Sequence, residues 1–214
     1  MLSQVAAVVD AWYPGESNGT ALASVLYGNT DPSGHLPVTF PQNLSQVPAA
    51  TPAQFPGTGG KVHYSEGINV GYRWYDAKNI TPMFPFGYGL SYTTFGFRHL
   101  AITPGTGGAA VTVTATVTNT GHAAGTEVAQ LYLGDPAAAG EPPRQLKGFQ
   151  RVTLSPGQSS TVTFHLTRQD LAYWKTSANK WVVPEGQFHV YVGDSSALAN
   201  LPLQGSFTLS RAGR

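Results

Sequence analysis

The 214-residue chain contains no cysteine and has few charged side chains. The absence of cysteine excludes disulfides, thiolate nucleophiles and zinc–thiolate centres. Asp, Glu, Lys and Arg together make up 11% of the residues, against roughly a quarter in an average soluble domain. Because the formal net charge is only +1 and no basic run is present, we expect neither nucleic acid nor an anionic membrane surface as a partner.

Long apolar runs and clustered histidines are also missing. No segment approaches the roughly 20 apolar residues of a membrane span, and no signal peptide is visible at the N-terminus. The neutral surface is typical of secreted proteins, so we expect an extracellular parent whose leader lies upstream of Met1. The six histidines form no i,i+4 pair and have no adjacent acidic cluster, so we expect no metal and no cofactor.

What the sequence does contain is an aromatic-rich stretch over residues 64–95, here called the connector. Its glycines and the prolines Pro82 and Pro85 exclude a continuous helix. Large apolar rings are rarely left in water on a free linker. We therefore predict that the connector is clamped to the surface of one domain while it leads the chain into the next.

Residues before the connector read as part of an α/β unit. The apolar run at residues 5–9 predicts a buried parallel strand, and the pattern from Thr20 predicts a helix. Ser17 or Asn18 can cap its start, and Gly28 stands where it should stop. Residues 36–40 predict a further short strand. One strand followed by one helix cannot bury both faces of a parallel strand. We therefore interpret residues 1–63 as the C-terminal remnant of a larger α/β sandwich domain.

Residues after the connector read as a mainly β domain. Residues 109–119 alternate with period two, so that Val111, Val113 and Val117 share one face. Six further short strands follow, separated by Gly, Pro and Ser turns, which is typical of an antiparallel β-sandwich of the fibronectin type III-like or Ig-like kind. We assign residues 96–214 to this domain.

Carboxylates are scarce, and two of them stand out. A retaining glycosidase needs two carboxyl groups about 5–5.5 Å apart. Glu16 and Glu66 lie among glycines and aromatics and are the best local candidates. Each has a simpler explanation: Glu16 at a helix start can stabilise the helix dipole, and Glu66 can form an ion pair with Arg73 that orients the connector. The residues alone provide no complete catalytic set.

Several motifs, in order, carry a family resemblance that covers essentially the whole chain. AWYPGESNGTALASVLYG, DPSGHLPVTFP, YSEGINVGYRWYD and MFPFGYGLSYTTF resemble the C-terminal part of glycoside hydrolase family 3, of the β-glucosidase type. The segment EVAQLYLGDP, followed by LKGFQRVTLSPGQSSTVTFHLTRQDLAYW, is similar to that family's fibronectin type III-like domain. Three positions differ from the commoner residues of the family: Ser17 replaces Glu, Ser24 replaces Asp, and His35 replaces Arg or Lys. Salt bridges that relatives form at these positions are therefore in doubt here.

The resemblance implies a retaining hydrolase of β-linked glucosides such as cellobiose. Members carry an aspartate nucleophile on an N-terminal barrel and a glutamate acid/base on the α/β sandwich domain. Both motifs lie upstream of this chain, so we assign no catalytic residue here and expect the missing barrel and sandwich domains as partners. We expect Glu16, Glu66, Tyr72 and Arg73 to be the residues nearest the substrate. The chain alone is then predicted to be inactive, with exposed apolar surface over residues 1–95.

A different class of function remains open from the sequence. The β-sandwich could act as a stand-alone carbohydrate- or protein-binding module. Saturable binding of cellobiose or soluble glucans discriminates this hypothesis from the enzyme-part hypothesis.

Overall fold

The computed structural model describes residues 4–106, 108 and 110–210, which form two helices and nine strands. Neither helix in these ranges is long and apolar enough to cross a membrane. In chain order the elements are α1 (Asn18–Leu26), α2 (Tyr72–Lys78), β1 (Phe95–Pro104), β2 (Val111–Asn119), β3 (Gly125–Gly134), β4 (Gln145–Leu154), β5 (Ser159–Leu166), β6 (Tyr173–Lys175), β7 (Lys180–Val182), β8 (Gly186–Gly193) and β9 (Leu203–Leu209).

The strands form a two-layer antiparallel sandwich, as the period-two pattern predicted. One sheet has the order β1-β2-β5 and the other β4-β3-β8-β9, while β6 and β7 form a separate hairpin. The inward faces of both sheets supply one apolar core, to which β2 contributes its four alternate residues. The threonines of β2 are less buried than these four residues. The sandwich therefore has a core of its own.

Strand β3 departs from this alternation because it is buried on both faces. Ala129, Leu131 and Leu133 belong to the core between the sheets. Gln130 and Tyr132 are buried as well, and they contact the connector on the outer face. The connector therefore covers β3 from outside, as the sequence predicted for a clamped segment.

Strand β1 was not predicted. Its register against β2 shifts between Arg98 and Ala101, and His99 in between has φ 55°. Such a bulge adds a residue and interrupts the alternation of side chains. The bulge explains why no period-two pattern is visible in this strand.

The first 63 residues contain little of the predicted β structure. Residues 5–9 form no strand, and Val5, Val8 and Val9 are exposed. The predicted strand at residues 36–40 is reduced to one bridge between Phe40 and Phe84. A parallel strand needs neighbours to satisfy its backbone, and the described residues provide none. Both strand predictions are therefore wrong for this structure.

Helix α1 is present, with the predicted ends. Ser17 occupies the position before it, although its side chain makes no capping hydrogen bond. Gly28 follows the helix with φ 76°, and its N–H donates to the carbonyl of Val25. No residue of α1 is buried; on the apolar face that predicted the helix, Leu22 and Val25 are half-buried and Leu26 is exposed.

Helix α2 lies inside the connector and was not predicted. Gly71, with φ 59°, precedes the helix, and Asn79, in the left-handed conformation, follows it. Pro82 and Pro85 follow the helix and do not interrupt it. Isolated helices this short are marginal in water, so α2 depends on its packing. Among residues 4–94, Tyr75, at 5% exposure, is the one large apolar side chain that is buried.

Candidate functional site

Helix α2 forms one wall of a shallow depression of about 490 Å³. Residues 37–39 and 47–48 also line it. Most of the lining is apolar, and the one cationic side chain is that of Arg73. The lining residues are Pro37, Val38, Thr39, Val47, Pro48, Val70, Gly71, Tyr72, Arg73, Tyr75 and Phe86.

Tyr72 anchors α2 on the sandwich. Its ring stacks on Phe86 with centroids 5.1 Å apart and meets Tyr132 edge to face at 5.7 Å. Its hydroxyl accepts a hydrogen bond of 2.7 Å from the backbone N–H of Leu146 at the start of β4. The guanidinium of Arg73 lies 6.0 Å from the centre of the same ring. Tyr72 therefore joins the depression to both β3 and β4.

Replacing Tyr72 with phenylalanine should destabilise the chain by about 1 kcal/mol, because the Leu146 N–H loses this acceptor while the ring contacts remain. Urea unfolding followed by tryptophan fluorescence measures the change. Tyr64→Phe is the matched control, since Tyr64 is exposed. An equal effect of the two substitutions would contradict the anchoring role of the Tyr72 hydroxyl.

A buried ion pair fixes the other end of α2. Asp76 Oδ1 accepts a hydrogen bond from Arg144 Nη2, and both side chains are almost nine-tenths buried. Arg144 also lies over the ring of Tyr191 at 5.6 Å. Asp76 Oδ2 is buried without a hydrogen-bond partner. Burial raises the pKa of Asp76 to about 6, although the neighbouring Arg144 charge acts in the opposite direction.

A second group of charges lies on the loop between β3 and β4. Asp135 and Glu141 each accept a hydrogen bond of 3.2 Å from the side-chain amide of Gln145. Burial raises the pKa of Asp135 to about 6 against the attraction of Lys147, and Glu141 adds to the rise. Two carboxyls in unequal environments can serve acid–base chemistry. Here one amide nitrogen donates to both carboxyl groups, so the arrangement ties the loop to β4.

Gln130 on β3 holds the end of the connector. Its side-chain amide donates to the carbonyl oxygens of Gly87 and Asp194, and its oxygen accepts from the Tyr132 hydroxyl at 2.6 Å. A Cβ atom on Gly87 would lie 2.2 Å from the Gln130 side-chain oxygen. The close approach of the connector to β3 therefore requires glycine at position 87.

Asp31 makes a comparable junction at the other end of β3. One carboxylate oxygen accepts from the Ser91 hydroxyl and the Tyr92 N–H, both at 2.7 Å. The other accepts from the Thr126 N–H at 3.2 Å. A single side chain thus joins the segment before residue 41 to both the connector and the sandwich.

The four residues predicted to lie near a substrate are not all together. Tyr72 and Arg73 line the depression, whereas Glu16 and Glu66 do not. Glu16 is exposed just before α1, and Glu66 is half-buried in a turn. The predicted ion pair between Glu66 and Arg73 is wrong, because the described residues contain two ion pairs, His35–Glu127 and Asp76–Arg144. The Arg73 guanidinium instead lies 6.0 Å from the centre of the Tyr72 ring.

Sequence reasoning missed the residues that fix the connector: Asp31, Asp76, Gln130 and Arg144. The contacts that hold the connector join residues 43 to 68 positions apart, so no local pattern reveals them. One signal was available for Gln130. It lies within the nearly unbroken apolar stretch of β3, which is typical of a strand buried on both faces.

The described residues contain no group of three or more side chains suited to a metal ion. The site thus offers an apolar depression with one cation and aromatic walls. Such a surface can bind an apolar face or complete a larger cleft.

Comparisons with known sequences identify both parts of the chain. A sequence model of the glycosyl hydrolase family 3 C-terminal domain matches residues 1–92. A model of the fibronectin type III-like domain matches residues 127–196.

Individual relatives agree along nearly the whole chain. The chain is 45% identical to the probable beta-glucosidase L of Aspergillus terreus, over 96% of its own length and 30% of that protein's. It is 41% identical to the thermostable beta-glucosidase B of Acetivibrio thermocellus, over 91% of its own length and 26% of the relative's. The chain thus spans about a third or less of the relatives it matches.

Solved structures show the same relationship. The beta-D-glucoside glucohydrolase of Trichoderma reesei aligns with a TM-score of 0.87 and 39% identity, over 98% of this chain and 31% of that one. DesR, a beta-glucosidase from Streptomyces venezuelae solved in complex with D-glucose, aligns with a TM-score of 0.91 and 38% identity. The alignment covers 98% of this chain and 27% of DesR. Sequence motifs, sandwich topology and these alignments agree: the chain belongs to glycoside hydrolase family 3 and corresponds to the C-terminal region of its β-glucosidases.

Proposed function

We propose that this chain works as the C-terminal part of a retaining β-glucosidase that releases glucose from β-linked glucosides such as cellobiose. In this proposal residues 1–63 complete an α/β sandwich domain and residues 96–214 form the fibronectin type III-like domain. Residues 64–95 connect the two domains. The nucleophile and the acid/base belong to upstream domains, as the family resemblance implies. The similarity to β-glucosidases over nearly the whole chain supports this assignment.

The observation that carries the proposal is the uneven burial of apolar side chains. Val8, Tyr13, Tyr27 and Phe55 are among many large apolar residues exposed before residue 95, and Tyr13 is 99% exposed. Of the 21 large apolar side chains that are exposed among the described residues, 17 lie before residue 95 and only four in the sandwich. A contiguous exposed apolar surface marks an interaction site. We assign this surface to contact with the upstream barrel and sandwich domains.

The chain by itself should not hydrolyse glucosides. Nucleophile and general acid together provide a large part of the rate in this chemistry, and the family resemblance implies that both lie on upstream domains. Neither Glu16 nor Glu66 lines the depression, and Asp135 and Glu141 are joined through Gln145. In an aryl β-glucoside assay the isolated chain is expected to give no turnover above buffer. Turnover abolished by Glu16→Gln or Glu66→Gln would overturn this expectation.

A chimera tests the positive side of the proposal. This chain would replace the matched C-terminal region of the Trichoderma reesei glucohydrolase, with the same enzyme truncated before that region as the control. We expect aryl-glucoside hydrolysis from the chimera and none from the truncated control. A folded but inactive chimera would contradict the proposal.

The same chimera tests the four residues assigned to the neighbourhood of the substrate. We propose that Tyr72 and Arg73, which line the depression, approach the active-site rim, and that Glu16 and Glu66 lie farther out. Arg73→Ala should then raise KM more than Glu16→Ala does. If neither Arg73→Ala nor Glu16→Ala changed KM, the depression would lie away from the substrate.

A second candidate function is glycan binding by the sandwich alone. Trp174 and Trp181 form a cross-strand pair on the β6–β7 hairpin, 5.7 Å apart, and both are about half exposed. Exposed indole rings can stack on sugar rings, although cross-strand aromatic pairs also stabilise hairpins. Fluorescence titration with cellobiose and soluble glucans should show saturable quenching that is lost in Trp181→Ala if this function exists. The enzyme-part proposal predicts no saturable change.

A further inference from the structure

His35 lies where three parts of the chain meet. It belongs to the irregular segment at residues 31–41, and its side chain is 15% exposed. The neighbouring Leu36 exchanges backbone hydrogen bonds with the connector at Gly87 and Tyr88. The ring of His35 faces β3, where Nε2 lies 3.3 Å from a carboxylate oxygen of Glu127.

Both ring nitrogens of His35 face oxygen atoms that only accept hydrogen bonds. Nδ1 lies 3.2 Å from the carbonyl oxygen of Ser33, and Nε2 faces the Glu127 carboxylate. A neutral imidazole has one N–H and one lone pair, so one of these contacts would set a lone pair against an oxygen. The imidazolium carries two N–H groups and donates to both oxygens. The geometry therefore fits the protonated ring.

The negative charges that act on His35 lie on two elements of the sandwich. Glu127 lies on β3 and also accepts from the Val128 N–H. Asp194 follows β8 and contributes a second negative charge near the ring. Arg151 on β4 reaches the Ser33 hydroxyl at 3.4 Å, and Asp31 on the same segment is held by Thr126.

We propose that His35 is a proton-controlled latch that fastens residues 31–41 to strand β3 of the sandwich. When the ring is protonated, it bridges Ser33 and Glu127 and partly neutralises Asp194. When the ring is neutral, one of the two hydrogen bonds is lost and Glu127 and Asp194 repel each other without a cation between them. The segment is then held by its remaining contacts, including those of Asp31.

The pKa values of His35 and Asp194 are both raised, which also makes the attachment of residues 31–41 stronger at low pH. Burial on its own lowers the pKa of His35, but the hydrogen bond and charge of Glu127, with Ser33 and Asp194, outweigh it and raise the pKa above the ordinary 6.5. The stabilisation by His35 is therefore complete below pH 6.5 and is lost as the pH rises through the raised value. Burial also raises the pKa of Asp194, so its ionisation likewise weakens the folded state as the pH rises.

Hydrogen exchange of the whole chain, read by mass spectrometry on the peptide over residues 31–41, tests the latch. After correction for the chemical exchange rate, we expect this peptide to be several-fold better protected at pH 6 than at pH 8. His35→Gln and Glu127→Gln should lose most of this difference. His35→Arg, which keeps a fixed cation, should be protected to a similar degree at both pH values.

His63→Gln is the matched control, because His63 is an exposed histidine outside this cluster, and it should behave like the unchanged chain. Equal protection of the unchanged chain at the two pH values would overturn the proposal. The same pH dependence in His35→Gln as in the unchanged chain would also overturn it. A change confined to the segment in His35→Gln separates the latch from general destabilisation, since β2 and β5 should remain protected.

Discussion

Replacing Arg144 with methionine is expected to destabilise the chain by about 3–5 kcal/mol at pH 8, because it leaves the Asp76 carboxylate buried without its charge partner. The pair joins α2 to the start of β4, so the loss should affect the connector as well as the sandwich. Chemical denaturation at fixed pH measures the change. Arg98→Met is the matched control, since Arg98 is exposed on β1, and it should stay within about 0.5 kcal/mol.

The pH dependence of this effect has a definite sign. The pKa of Asp76 is raised from 3.8 to about 6 even with Arg144 in place, and removing the cation should raise it further. A raised pKa means that the folded state is favoured at low pH and loses stability as the pH rises. The destabilisation by Arg144→Met should therefore shrink at pH 5. The double variant Asp76→Asn, Arg144→Met should recover most of the loss, and a purely additive result would contradict the buried pair.

Replacing Gly87 with alanine is expected to cost about 3 kcal/mol or more, since a new methyl group collides with Gln130 and a non-glycine residue takes a left-handed backbone. The added Cβ would lie 2.2 Å from the Gln130 side-chain oxygen, and Gly87 has φ 80°. If Gln130 moves aside, its bonds to Gly87, Asp194 and Tyr132 are lost together. Thermal and urea unfolding measure the change.

Gly67→Ala separates the cost of the left-handed backbone from the cost of the collision with Gln130. Gly67 also has a left-handed backbone, with φ 60°, but a Cβ atom there meets nothing within 4 Å. It should cost only about 1–2 kcal/mol from the backbone conformation. Equal costs at positions 67 and 87 would show that the connector does not press on β3 at Gly87.

The sandwich could be predicted well because its signal is local. In β2 the alternation of valine and threonine reports one buried face directly, and the structure buries those valines. In β1 the bulge at His99 hides the same signal. In α2 the helix is too short to form without packing, and its partner Arg144 lies 68 residues away.

The candidate site could be predicted less well for the same physical reason. Tyr72 and Arg73 were selected from their aromatic surroundings, and they do line the depression. Sequence distance alone predicts an ion pair between Glu66 and Arg73, but the two ion pairs of the described residues include neither side chain. The apolar run at residues 5–9 illustrates the opposite error, because its pattern is that of a buried strand while the described chain offers it no neighbouring strand.

The burial of β3 on both sides has a consequence for how the protein can be divided. A cut at residue 96 would leave Gln130 without the Gly87 carbonyl and Tyr132 without the ring of Tyr72. The sheet would then expose a polar amide and a large ring that are now hidden from water. In recombination, natural or engineered, the transferable unit is therefore the sandwich together with residues 64–95, and a junction placed between them would separate two halves of one packed layer.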